Sequence, residues 1–213
     1  MSSQSDLDTR TPFRSRSETT PLNTTAPTSQ TGTPDLTLFQ RAVYDLVRSS
    51  HRDRAVTRHK VVSRLRASRD PMAYINELID QCVTKGGADG LDIGIDVLSQ
   101  FGDLVLRYAR EFWKKDVSRW DEGNVGRRHH FNDDAWYILL RSAARSRLEQ
   151  SQKTQMLRYC STEGPPSVRE AGVHAFGDMG GTFAAQFLHD LKNSEQSESV
   201  REVVVEVLDD LED

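Results

Sequence analysis

VREAGVHAFGDMG, Val168 to Gly180, and VREVVVEVLDDLE, Val200 to Glu212, lie over each other without a gap, and their comparison decides the fold. Val168, Ala171, Gly172, Ala175, Phe176 and Met179 correspond to Val200, Val203, Val204, Val207, Leu208 and Leu211. Apolar or small residues thus recur at the same six positions of one helical face, and Arg169-Glu170 matches Arg201-Glu202. Between the two, Gly180-Gly181 forms a turn, and Phe183, Ala184, Phe187, Leu188 and Leu191 mark an antiparallel helix. The repeat unit is therefore helix, turn and helix over 32 residues. One such hairpin cannot bury both its faces, so neighbours must stack to complete a core.

Upstream, GLDIGIDVLSQFGD from Gly90 is a weaker echo: Ile95, Leu98, Phe101 and Gly102 fall where Val173, Phe176, Met179 and Gly180 do. The VRxxxVxxxxxxxG pattern of these segments resembles HEAT repeats, in particular the short bacterial phycobilisome-lyase-type variety. The resemblance is specific over Val168 to Leu211, looser over Asp89 to Phe112 and Asp133 to Cys160, and architectural before that. It implies that the Val-Arg helices line a concave surface that grips a partner. It also implies that Arg169 and Arg201 join a ladder between repeats, since a buried guanidinium needs a paired acceptor.

Other helices follow from their stripes and caps. Thr33, Pro34 and Asp35 read as an N-cap, a first-turn proline and a dipole-matching acid, and Leu36, Phe39, Val43, Leu46 and Val47 follow at helical spacing to about Arg48. A basic helix is expected from Asp53 to Ala67. Another opens at Asp70-Pro71, carries Met72, Ile75, Leu78, Ile79, Cys82 and Val83, and stops at Gly86-Gly87. GGADGLDIG reads as a turn that feeds a helix from Asp89 to Phe101. Gly102-Asp103 then leads into a helix with Leu104, Val105, Tyr108, Ala109 and Phe112. Polar, glycine-containing Lys115 to Asn132 reads as a long loop, before helices at Asp133 to Arg147 (Trp136, Leu139, Leu140 and Ala143 inward) and Lys153 to Cys160. No segment alternates with period two, so the expected class is all-α: a short α-solenoid of antiparallel hairpins over residues 35–213. Residues 1–34 hold six Ser, nine Thr and four of the seven prolines, with Phe13 as their lone aromatic, and are expected to be a disordered tail.

Net charge is -4, and no apolar run approaches the ~18 residues of a membrane span. MSSQSDLDTR lacks the basic-then-apolar layout of a secretory signal, so a cytoplasmic protein is expected. Cys82 and Cys160 have no metal-type spacing and read as buried small hydrophobes.

Catalytic patterns are weak throughout. His129, His130, Asp133 and Asp134 form the best metal candidate, but Asn132 or Asp133 and Asp134 are equally the N-cap and first-turn acid of a helix. The HEAT-type deoxyhypusine hydroxylases use His-Glu pairs, and none occurs here. Trp113, Trp120 and Trp136 with Asp133 or Asp134 could imitate the HEAT-like alkylpurine glycosylases, although Trp136 sits at core spacing. The glycine-rich stretch from Gly86 lacks the Gly-Lys-Ser/Thr of a phosphate loop. No cofactor, metal or catalytic residue is therefore expected.

Charge is asymmetric. His51 to Asp70 holds seven Lys or Arg against two Asp, whereas Glu195 to Asp213 holds eight acids against Arg201 alone. Candidate partner contacts are accordingly Arg54, Arg58, Lys60 and Arg64, with Arg52 and Arg66 beside them, and the repeat arginines Arg169 and Arg201. The leading expectation is a non-catalytic adaptor or regulatory scaffold binding another protein. Nucleic-acid binding by the basic helix is the alternative, though that helix lacks the interleaved aromatics that stack on bases. Oligomeric state is left open.

Overall fold

A computed structural model describes residues 34–50, 52–120 and 130–212. The tail expected over 1–34 lies, but for Pro34, outside the described residues. Ten α-helices are present among them and no strand: α1 (Pro34–Val47), α2 (Arg54–Ala67), α3 (Pro71–Lys85), α4 (Gly87–Leu98), α5 (Gly102–Trp120), α6 (His130–Arg145), α7 (Gln150–Glu163), α8 (Pro166–Met179), α9 (Gly181–Ser194) and α10 (Glu198–Glu212). A 3-10 turn, Ser99–Phe101, joins α4 to α5.

Local chemistry sets these limits. The Asp70 carboxylate accepts from the Ala73 amide at 3.2 Å and Pro71 opens the first turn, so α3 starts with two of its end requirements met. At the close of α8, Gly180 takes φ 64°, where a side chain would be strained, and its amide donates to the Phe176 carbonyl at 3.0 Å.

Consecutive helices pair as antiparallel hairpins, α1/α2, α3/α4, α5/α6, α7/α8 and α9/α10, and the hairpins stack into a solenoid. The repeat helices α8 and α10 pack directly on each other, and α8 also packs on α6, which packs on α4. Val168, Ala171, Ala175 and Phe176 are buried on α8, as are Val200, Val204, Val207 and Leu208 on α10. Small residues allow this row to close up. A Cβ on Gly177 would stand 2.7 Å from Val207 Cγ1, a distance no real pair adopts.

The other row is built differently. From α5 onward, successive odd helices meet through large side chains, Trp113 of α5 edge-on to Tyr159 of α7 at 5.0 Å and Arg158 of α7 over the Phe187 ring of α9 at 5.3 Å, whereas α1 and α3 pack directly on each other. The even-numbered row, which carries the Val-Arg helices, is termed the inner row, and the odd-numbered row the outer row.

Two expectations need correction. The loop read over 115–132 is helix at both its ends: α5 continues to Trp120 and α6 starts at His130, and 121–129 lie outside the described residues. Polarity was mistaken for irregularity, since no Gly or Pro interrupts the chain between Gly102 and Gly123 and Trp113 anchors one face. The stretch GGADGLDIG turns only at Gly86-Gly87 and is helical from Gly87 on. There Gly90 serves close approach rather than a bend, because a Cβ on it would lie 2.2 Å from the Cys82 carbonyl oxygen.

Replacing Gly177 with Val should lower the free energy of unfolding by about 1–3 kcal/mol through overpacking against buried Val207, outweighing the gain in helix propensity. Phe183→Ala, at an exposed position of α9, should cost less than about 1 kcal/mol. Urea unfolding of the two variants checks the contrast.

Candidate functional site

The six basic candidates do not converge. Arg54, Arg58, Lys60 and Arg64 lie on α2, which packs on α1, α3 and α4, whereas Arg169 and Arg201 begin α8 and α10. Arg54 pairs with Asp89 at 3.0 Å and Arg58 with Asp96, so two of the four α2 cations pin that helix to α4. Lys60 is exposed and Arg64 half-buried. Arg169 grips the Glu195 carboxylate through both nitrogens of its fork at 2.9 Å and donates to the Gly164 carbonyl at 2.6 Å. Arg201 donates to the carbonyl of that same Glu195 at 2.8 Å. Glu195, between α9 and α10, thus ties the starts of neighbouring inner helices together.

The inner face carries a second charge system that motif reading did not find. Tyr137 and Arg141 of α6 face His174 and Asp178 of α8, one turn apart on each helix. The Tyr137 ring meets His174 edge-on at 5.5 Å, and Arg141 lies over the Tyr137 ring at 4.9 Å while binding both oxygens of Asp178. Arg145 reaches Asp178 as well, at 2.7 Å. Burial alone would raise the Asp178 carboxyl, but the hydrogen bonds and charges of the two arginines outweigh it and hold it below the usual carboxylate range. Burial, seconded by the charge of Arg141, pushes His174 down, so its imidazole is neutral at pH 7. Signs on this face are therefore largely matched internally.

Apolar surface is open on the outer row instead. Between α5 and α7, Trp113, Trp136, Met156, Tyr159 and Cys160 line a cleft of about 400 Å³ whose rim carries Arg107, Arg110 and Lys114 beside Glu111. Trp136 is buried and forms the floor; Trp113 stands over it edge-on at 5.6 Å, and Tyr159 is 51% exposed. On the far side of α7, Tyr159 also borders a shallower cleft of about 840 Å³ with Arg158, Phe183 and Phe187. The two clefts share one aromatic residue and run along both flanks of one helix.

No family model, curated protein or solved structure matches this chain.

His129 lies outside the described residues, and so does the side chain of His130; Asp133 accepts from Ser167 Oγ at 2.7 Å, tying α6 to α8. Among the described residues, no group of three His, Cys, Asp or Glu is placed to hold a metal ion. Of the tryptophan set, Trp113 and Trp136 are in contact, while the Trp120 side chain lies outside the described residues. Burial pushes the thiols of Cys82 and Cys160 up to about 12, so neither is ionised at neutral pH. No described helix is long and apolar enough to cross a membrane.

Removing Arg169 leaves the Glu195 carboxylate, 6% exposed, without its partner, and Arg169→Ala should cost about 3 kcal/mol; Arg201→Ala, which loses bonds to carbonyls, should cost about 1 kcal/mol. Denaturant unfolding at pH 7 distinguishes them. Both Asp178 and Glu195 are held below ordinary carboxylates, Glu195 by Arg169 and the Ser197 amide against its burial. The unfolded chain therefore binds more protons in acid, and the stability that these pairs supply is complete above the ordinary carboxylate range. It should fall as pH drops through their lowered folded values. Unfolding series between about pH 5 and pH 2 should show a shallower acid loss in Arg141→Gln than in the parent.

Proposed function

We propose that this chain is a HEAT-like protein-binding module, an adaptor or regulatory scaffold without turnover. Its binding site is the aromatic cleft between α5 and α7. The observation that carries this reading is the open Trp113–Trp136–Tyr159 cluster: rigid aromatics with a buried floor and an accessible edge are what a partner's apolar side chains fill. The inner face, expected from the repeat pattern to grip the partner, is the weaker choice. Arg141, Arg145 and Asp178 already satisfy one another there, and separating them leaves a charge without its partner.

The rim sets the partner's chemistry. Arg107, Arg110 and Lys114 against Glu111 leave positive charge beside an apolar trough, which suits an amphipathic helix with apolar residues at i, i+3 or i+4 and i+7, flanked by Asp or Glu. A nucleic-acid role for α2 has less in its favour, because Arg54 and Arg58 are paired with acids that would repel phosphates.

A fluorescent peptide of that design, with Leu and Trp on one face and Glu on its flanks, should bind the intact chain. Trp113→Ala and Tyr159→Ala should weaken it at least about tenfold, equal to about 1.4 kcal/mol, and Lys in place of the flanking Glu should abolish binding. Fluorescence anisotropy measures all three. Unchanged affinity in both cleft variants, with loss on His174→Ala, would return the site to the inner face.

A further inference from the structure

The two ends of the inner row carry opposite charge around a bare valine. On α10, Val205 occupies the position that Val173 holds on α8; Val173 is fully buried, whereas Val205 is 36% exposed, with Val203 half-buried beside it. The reason is positional: α8 lies between α6 and α10, while α10 has an inner-row neighbour on one side only. Around Val205 stand Glu202, Glu206 and Asp209, all exposed, with Glu198 and Glu212 farther along the helix. On this side α10 thus presents a repeat seam rimmed with acid.

The first inner helix is its counterpart. On α2 the exposed valine is Val56, 63% accessible, with Lys60 one turn after it, His59 alongside, and exposed Arg52 in the turn that precedes the helix. Arg52, in the turn before α2, and Lys60 are eight residues apart with Val56 midway, and Glu202 and Asp209 on α10 are seven apart with Val205 between them. On its other side α2 already docks in this manner within the chain, through Arg54 to Asp89 and Arg58 to Asp96 of α4. Cations of α2 against acids of an adjacent inner helix is thus a contact this fold makes.

We propose that the occupant of both ends is a second copy of this chain, with α10 of one molecule lying beside α2 of the next so that Val205 meets Val56 between flanking ion pairs. The arrangement is head to tail. The two patches belong to different faces of the molecule, so the contact leaves one free end of each kind and extends into open chains, or closes into a ring, instead of stopping at a two-fold dimer. A single valine pair within exposed charges makes the contact weak and strongly salt-dependent.

Sedimentation velocity and light scattering of the intact chain, over a concentration series reaching the high micromolar range, test this. At low ionic strength the mean mass should rise with concentration past that of a dimer. At about 1 M salt, where screening reaches only about 3 Å, it should return to the monomer. Reversing the acidic end (Glu202→Arg with Asp209→Arg) or the basic end (Arg52→Glu with Lys60→Glu) should each give a monomer, because both ends then carry one sign. Mixing the two variants should restore assembly. Val205→Glu, at a surface position, should abolish it with the thermal unfolding of the monomer unchanged, and Trp113→Ala should leave it intact. A parent that stays monomeric throughout, a mixture that fails to assemble, or charge-reversed variants that each still assemble alone would overturn the proposal.

Discussion

Close contact along the inner row is the constraint on which the structure rests. A helix with α6 on one side and α10 on the other, as α8 has, must be narrow in both directions. Ala171, Ala175 and Gly177 meet that requirement, and bulk is displaced to the opposite row. There Trp113, Tyr159, Arg158 and Phe187 act as wedges. The outer clefts follow from the same packing: helices in close contact on one side leave gaps on the other, and large side chains fill those gaps incompletely.

Polar interactions follow the geometry of the rows. Where inner helices run side by side, arginines and acids one turn apart come within reach and neutralise each other, as Arg141 and Arg145 do with Asp178 and as Arg169 does with Glu195. Partial burial makes each of these pairs costly to break from one side, which suits a structural seam better than a surface that must exchange partners. On the outer row the cations Arg107 and Arg110 are exposed above an apolar trough. On α10, acids gather around Val205, and at α2 Arg52 and Lys60 flank Val56.

Much of the architecture could be read directly, and the errors share a cause. The two Val-Arg segments, the Asp70-Pro71 start and the Gly180-Gly181 turn all act within a few residues of chain, so local chemistry specifies them. Lys115 to Trp120 and Gly87-Ala88 were misread because polarity and glycine content stood in for conformation. A polar helix is stable when one anchored face holds it, and Gly90 is needed for proximity to Cys82. The cleft was missed for a different reason. Trp113 and Tyr159 are on separate helices with another helix between them in the chain, and each alone looks like an ordinary amphipathic residue. Continuity of helix past Trp113, with no breaker before Gly123, was the available signal.

Composition and periodicity were enough to specify an all-α chain, the helical faces that face inward, and hairpins that need stacked neighbours, because those properties depend on residues three or four positions apart. Which row closes and which opens, where the aromatic clefts lie, and which charges cancel depend on side chains brought together from different hairpins. Arg169 and Glu195, or Arg141 and Asp178, acquire their partners only when the helices pack. Such pairings leave no periodic trace in the chain, since what selects them is the distance across a seam and not the distance along the sequence.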